Sequence, residues 1–157
     1  MNKNMFIKKI KYFIPSIIWM LIIFSFSCQI GRESDKNNHF IVNVLNSLKI
    51  EVVRHMDYNF LNFLIRKTAH VTEYFILFML LYYAFKKSKF KKEKLKSAVI
   101  TILYACTDEF HQLFVPGREG KIRDVFVDSI GVIIGLIIIY IYKSLKEKKV
   151  HKSNITR

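Results

Sequence analysis

Long apolar runs alternate with short charged blocks along the chain, and the runs are long enough to predict helices that cross a membrane. A membrane helix requires about 20 mainly apolar residues. Four stretches fit this requirement, at about residues 12–28, 66–85, 97–115 and 124–142. The pattern therefore predicts an all-α fold, an integral membrane four-helix bundle that forms a single domain over residues 1–157.

The predicted outer segment between the first two helices carries apolar residues at helical spacing. They are Phe40, Ile41, Val44, Leu45 and Leu48. This spacing predicts a short amphipathic helix. Such a helix either lies along the membrane surface or caps the bundle.

The basic residues are distributed in blocks that indicate the orientation of the helices. The chain has 26 Lys and Arg against 12 Asp and Glu. Seventeen of the 26 precede the first helix, join the second to the third, or follow the fourth. The positive-inside rule therefore predicts a multi-pass protein of the cell membrane with both termini cytoplasmic. Blocks of this kind contact lipid headgroups, so membrane lipid is an expected partner and nucleic acid is not.

The ionisable residues within the predicted spans lie near the outer ends of the helices. An ionisable group in a bilayer is costly and usually indicates a function or a partner. On the second helix, Arg66, His70, Glu73 and Tyr74 share one face, with Lys67 beside it. This face is predicted to point into the bundle.

The third and fourth helices add carboxylates at the same end. Asp108 and Glu109 lie near the end of the third helix, and Gln112 is one turn further on. A loop containing Pro116 and two glycines then leads back to the fourth helix, where Asp124 and Asp128 share a stripe with Gly131 and Gly135. Basic side chains nearby are expected to neutralise these carboxylates, namely Arg66, Lys67, Arg118 and Arg123. The candidate ligand-binding residues are Arg66, Lys67, His70, Glu73, Tyr74, Asp108, Glu109, Gln112, Arg118, Asp124 and Asp128.

Several motifs along the chain resemble the VanZ-like membrane protein family. They are SFSCQ at 25–29, RKTAH at 66–70 with Glu73 and Tyr74, DEFHQ at 108–112, FVPGR at 114–118, and Arg123 and Asp124 followed by Asp128, Gly131 and Gly135. The resemblance spans most of the chain in the expected order. It implies a membrane protein of the cell envelope, and the founding member is associated with low-level resistance to the glycopeptide antibiotic teicoplanin. Relatives often carry Asn at the position of Asp128.

Three functions remain open at this point. The favoured one is a polar extracytoplasmic site that binds or modulates an envelope component, such as a cell-wall precursor or a glycopeptide-related ligand. The second is an intramembrane enzyme on a lipid-linked substrate, in which His70 and Glu73 act with nearby carboxylates and His111 as an acid–base pair or as metal ligands. The third is an ion network that only holds the helices together.

Two further classes are not favoured by the sequence. The spacing of the polar residues matches no established metal-ligand signature, and the neighbouring arginines oppose a cation. No metal and no cofactor are therefore predicted. A transporter is disfavoured because no polar track continues into the cytoplasmic half of the helices.

Overall fold

Four α-helices make up most of the described chain. The structure is a computed structural model and describes residues 9–30, 41–44, 47 and 56–155, with side chains as far as 149. The helices are α1 (Ile14–Ser27, after a 3-10 turn at Lys11–Phe13), α2 (Tyr58–Lys87), α3 (Glu93–Gln112) and α4 (Ile122–Ile155). The described residues contain no β-strand, so the predicted all-α class is confirmed.

The helix boundaries differ most from the prediction at α2 and α4. α2 begins about two turns earlier than predicted because the carboxylate of Asp57 caps it, accepting hydrogen bonds from the N–H groups of Asn59 (3.0 Å) and Phe60 (3.2 Å). α3 begins in the lysine-rich segment and ends at Gln112, where residues 113–121 turn towards α4. α4 continues past residue 142 because no proline or glycine interrupts its lysine-rich end.

The predicted amphipathic helix between Phe40 and Leu48 falls largely outside the described residues. Residues 41–44 are helical. Val42 is buried, and Ile41 lines a cavity at one end of the bundle.

α2 lies at the centre of the bundle and contacts α1, α3 and α4. Tyr74 and Phe78 of α2 are fully buried. Tyr74 belongs to an apolar cluster with Ile23 of α1 and Ala105 of α3. Phe78 belongs to a second cluster with Val132 of α4. The core is therefore built around one helix, and the other three pack against it.

α4 approaches α2 closely through two glycines. A Cβ atom at Gly131 would collide with the carbonyl oxygen of Val71 and the backbone of Phe75. Gly135 faces the ring of Phe78. The small-residue stripe predicted from the sequence is thus confirmed as the contact between α4 and α2.

The outward faces of α1, α3 and α4 are apolar. α1 exposes Ile14, Ile17, Ile18 and Leu21; α3 exposes Val99, Ile102 and Leu103; α4 exposes Ile130, Ile133, Ile134, Ile137, Ile138 and Ile141. Continuous apolar surface of this extent is rare on soluble monomers. By length and composition, α2 and the part of α4 from Ile122 to Lys149 are each able to cross a membrane, whereas α1 is shorter and α3 has charged residues at both ends.

Successive helices run in alternating directions, so their ends meet at two opposite layers. At one layer the ring of Phe13 packs against that of Phe85 (5.0 Å between centroids), and the hydroxyl of Ser88 donates to the carbonyl of Lys9 (3.4 Å). The opposite layer contains the end of α1, the first half of α2, the end of α3 and the start of α4. We call this second layer the polar end, because the buried charged residues lie there.

Candidate functional site

Two side-chain pairs join α2 to α4 at the polar end. Lys67 Nζ lies 2.5 Å from Asp124 Oδ1, and His70 Nδ1 lies 3.1 Å from Asp128 Oδ1. A spacing of three residues on α2 and four on α4 places both pairs along one line of contact between the helices. Asp128 is only 1% exposed, so this contact is removed from solvent.

α3 contributes two buried carboxylates that are adjacent in sequence but have different partners. Asp108 Oδ2 accepts a hydrogen bond from Gln112 Nε2, one turn later (3.1 Å). Glu109 Oε2 accepts one from the backbone N–H of Lys121 (2.9 Å), just before α4 begins. The connecting loop can turn back this sharply because Gly117 adopts a positive φ of 75°. Glu109 therefore fastens the end of α3 to the start of α4.

Arg118 extends from this loop to the end of α1. Its Nε donates to the carbonyl of Gln29 and its Nη2 to the carbonyl of Phe26, both at 3.0 Å. These bonds add to the hydrogen bonding at the end of α1, where the carbonyl of Phe26 also accepts the backbone N–H of Gln29 at 3.2 Å. Burial lowers the pKa of Arg118 from its usual value, and the neighbouring Arg66 guanidinium lowers that pKa further. No carboxylate within the described part of the chain is close enough to form an ion pair with Arg118.

A cavity of about 230 Å³ lies between α1, α2 and α3 at the polar end. Its apolar wall includes Ile23, Phe26 and Ala69. Its polar lining consists of Arg66, His70, Glu73, Asp108, Gln112 and Arg118, together with Ser27 and Gln29 of the α1 end. We call this the inner cavity. Its mixed lining suits a ligand that carries both an apolar part and a charged group.

A second cavity of about 380 Å³ adjoins the loop and is mostly basic. Its lining consists of Arg66, Arg118, Lys121 and Arg123, with Glu119, Asp124 and Gly117. We call this the outer cavity. Glu119 is paired with Lys121, which lowers the pKa of its carboxyl. Arg66 and Arg118 line both cavities, so two guanidinium groups lie where the cavities adjoin.

The structure brings the predicted site residues to the polar end but divides them into groups. Six line the inner cavity: Arg66, His70, Glu73, Asp108, Gln112 and Arg118. Four others connect helices: Lys67, Glu109, Asp124 and Asp128. Tyr74 is fully buried in the core, where its ring lies 6.4 Å from that of Tyr104.

Arg118 forms no direct ion pair with a carboxylate among the described residues. Three carboxylates nevertheless lie near enough to oppose the lowering of its pKa by burial, namely Glu73, Asp108 and Glu109. Among the described residues, Lys67 is the basic side chain that pairs with a carboxylate of the predicted set. Arg118 is instead held by main-chain carbonyls, because the loop carries it across to the open end of α1. Arg66 and Arg123 are exposed and have no ion-pair partner in the part of the chain that the structure describes.

The sequence prediction missed the contribution of α1 to the site. Besides its carbonyls that bind Arg118, α1 supplies Trp19, whose indole N–H donates to the main-chain carbonyl of Glu73 (2.9 Å). The C-terminal end of α1 also places Ser27, and Gln29 just beyond the helix, in the lining of the inner cavity. The available signal was the SFSCQ motif at 25–29, which closes the first apolar stretch and ends in Gln29.

One protein-family model matches most of the chain. The VanZ/LLP1 model matches residues 12–143, a range that includes the apolar part of every helix and the whole polar end. The chain belongs to the VanZ/LLP1 family. This confirms the resemblance found in the motifs, and with the two long apolar helices it indicates a membrane protein. Searches of curated proteins and of solved structures found no significant match.

Proposed function

We propose that this VanZ/LLP1 protein crosses the cell membrane four times, with its polar end on the extracytoplasmic side. α3 has 20 residues, a length of about 30 Å that matches the hydrocarbon core of a bilayer. α1 is shorter, but its exposed face is as apolar as that of α4. Because the helices alternate in direction, the lysine-rich turn between α2 and α3, the start of α1 and the end of α4 lie opposite the polar end. The positive-inside rule then puts both termini in the cytoplasm.

The polar end binds an anionic group of an envelope component, a phosphate or a carboxylate. The observation that carries this proposal is the position of Arg66 and Arg118 where the two cavities adjoin. The half-buried Arg118 donates its hydrogen bonds to main-chain carbonyls and forms no direct ion pair with a carboxylate among the described residues, although Glu73, Asp108 and Glu109 lie near enough to oppose the lowering of its pKa by burial. Two guanidinium groups close together favour an anion between them, and their planar donors suit the oxygens of phosphate and carboxylate.

Binding, rather than helix adhesion alone, accounts best for this arrangement. An ion network that only held helices together would pair each base with an acid, as Lys67 is paired with Asp124. It would not need a cavity with apolar and polar walls. The anionic component belongs to a lipid headgroup or a cell-wall precursor, since both present phosphate at the membrane surface.

A test of this site uses Trp19, the single tryptophan of the chain. Its hydrogen bond to the main chain of Glu73 places it next to the lining of the inner cavity, so its fluorescence should report binding. We expect short-chain phosphatidylglycerol to give a saturable change in detergent-solubilised protein, and phosphatidylcholine to give a much weaker one. Arg66→Gln should weaken the phosphatidylglycerol response by at least about tenfold, the loss expected for a charged hydrogen bond.

The matched control is Lys87→Gln, which removes one positive charge from the opposite end of the same helix. It should leave the titration unchanged. Equal responses to the two lipids, or equal losses in the two variants, would contradict the anion site. A lipid-linked cell-wall precursor titrated in the same way separates the two sources of the anion.

A role in susceptibility to teicoplanin follows if the anionic component is a cell-wall precursor. A bound precursor is less available to the antibiotic, so deletion of the gene should lower the inhibitory concentration of teicoplanin. The accompanying measurement is the profile of lipids and wall precursors with and without the gene. An unchanged inhibitory concentration and an unchanged profile would exclude this role.

A further inference from the structure

We propose that His70 of α2, Glu109 of α3 and Asp128 of α4 form a binding site for a divalent metal ion. Each residue offers one ligand atom, and the three atoms lie within 4.8 Å of one another. Metal–ligand distances of about 2.0–2.2 Å place two ligands of one ion roughly 3 to 4.4 Å apart. A small adjustment of side chains therefore brings the three atoms to a common ion.

Each carboxylate of this set has one oxygen held by the protein and one oxygen left over. Glu109 Oε2 accepts the backbone N–H of Lys121 at 2.9 Å, and Asp128 Oδ1 lies 3.1 Å from His70 Nδ1. Glu109 Oε1 and Asp128 Oδ2 are buried without a hydrogen-bond partner among the described residues. Metal-ligating carboxylates commonly show the pattern of Glu109, in which an outer hydrogen bond fixes the side chain while the second oxygen faces the ion. The contact between Asp128 and His70 joins two of the proposed ligands, so His70 would bind the ion through Nδ1 in place of that hydrogen bond.

The local charge also favours a cation. Glu109 and Asp128 are 4% and 1% exposed, and burying carboxylates without compensating charge is costly. Among the described residues, Lys67 pairs with Asp124 and Arg118 bonds to the end of α1, so neither forms an ion pair with Glu109 or Asp128, and His70 is the side chain that contacts Asp128. A divalent ion would balance the two carboxylates, with His70 as a neutral third ligand.

The donor set indicates which ions fit. One imidazole nitrogen with two carboxylate oxygens suits Zn²⁺ or Mn²⁺, and the lack of a thiolate in the set makes it a poor site for Cu⁺. Three protein ligands leave at least one coordination position open. His70 also lines the inner cavity, so the ion would be reached from there. The sequence did not predict the site because its ligands come from three helices with no local spacing in common.

The experiment measures metal bound to the full-length protein purified in detergent. After removal of metal with EDTA, the protein is titrated with Zn²⁺, Mn²⁺ and Co²⁺. We expect about one ion per chain by elemental analysis and a Co²⁺ absorption spectrum typical of low coordination number. Glu109→Gln and Asp128→Asn should each weaken binding by more than about tenfold. Both variants keep an oxygen that can accept the existing hydrogen bond, so the fold should persist.

The control is Glu119→Gln, a carboxylate-to-amide change at an exposed loop position, which should bind metal like the wild type. Gel filtration and thermal unfolding check that all proteins are folded. Wild type that binds no stoichiometric ion would overturn the proposal, as would folded Glu109→Gln and Asp128→Asn proteins that bind as tightly as wild type. The Arg66→Gln protein should lose the lipid response and still bind the metal. The proposal of a metal site and the proposal of an anion site are therefore tested independently.

Discussion

At the scale of single residues, the charged side chains of the polar end differ in what holds them. Lys67 and Asp124 hold each other, with 12% and 11% of their side chains exposed. Glu109 is held by a backbone N–H, and Arg118 by two backbone carbonyls. The partner of each residue decides whether a substitution affects stability, ligand binding or both.

Lys67 should contribute to the stability of the fold through its ion pair with Asp124. Lys67→Gln leaves Asp124 without its cation, and we expect a loss of about 2 kcal/mol in the free energy of unfolding, below the range for fully buried pairs because both groups keep some exposure. The loss is measured by denaturant unfolding in detergent micelles. The double variant Lys67→Gln with Asp124→Asn should recover most of it, because no unpaired charge remains. Equal stability of all the variants would show that the pair contributes nothing.

The sequence predicted which residues gather at the polar end but not how they pair. Helical periodicity put His70 on an inward face, and the short loop brought Asp124 and Asp128 to the same end. The choice of Lys67 for Asp124 and His70 for Asp128 depends on how far α4 is shifted along α2. That shift is set by tertiary packing of the two helices, which periodicity within one helix does not reveal.

At the scale of helices, the glycine contact between α2 and α4 sets the position of these pairs. Gly131 lies three residues after Asp128 and allows the backbones to touch. Apolar runs predicted four helices at the right places. They did not fix the helix ends, because α2 continues upstream through further apolar residues to the Asp57 cap, and α3 and α4 have charged segments beyond their apolar parts.

Gly131→Ala should separate α4 from α2. The new methyl group would meet the backbone of Val71 and Phe75, which cannot move aside as a side chain can. We expect a loss of about 1–3 kcal/mol in the free energy of unfolding. Gly135→Ala meets only the ring and side chain of neighbouring residues and should cost less. A larger effect of Gly135→Ala in the same unfolding measurement would contradict this order.

At the scale of the whole molecule, the two ends differ in kind. One end carries the lysine-rich turn and packs through aromatic rings, whereas the other gathers carboxylates, a histidine and arginines around two cavities. Membership of the VanZ/LLP1 family and two long apolar helices indicate a membrane protein. The proposed ligand requires the cavities to face the envelope, so the proposal depends on the orientation of the bundle.

Labelling of single cysteines in intact cells tests this orientation most directly. The two native cysteines, Cys28 and Cys106, are exposed and are first replaced by serine. Glu119→Cys then marks the loop at the polar end, and Lys91→Cys marks the lysine-rich turn. A membrane-impermeant maleimide should label the position-119 variant in intact cells, and the position-91 variant only after the cells are permeabilised. Labelling of position 91 but not position 119 in intact cells would contradict the account.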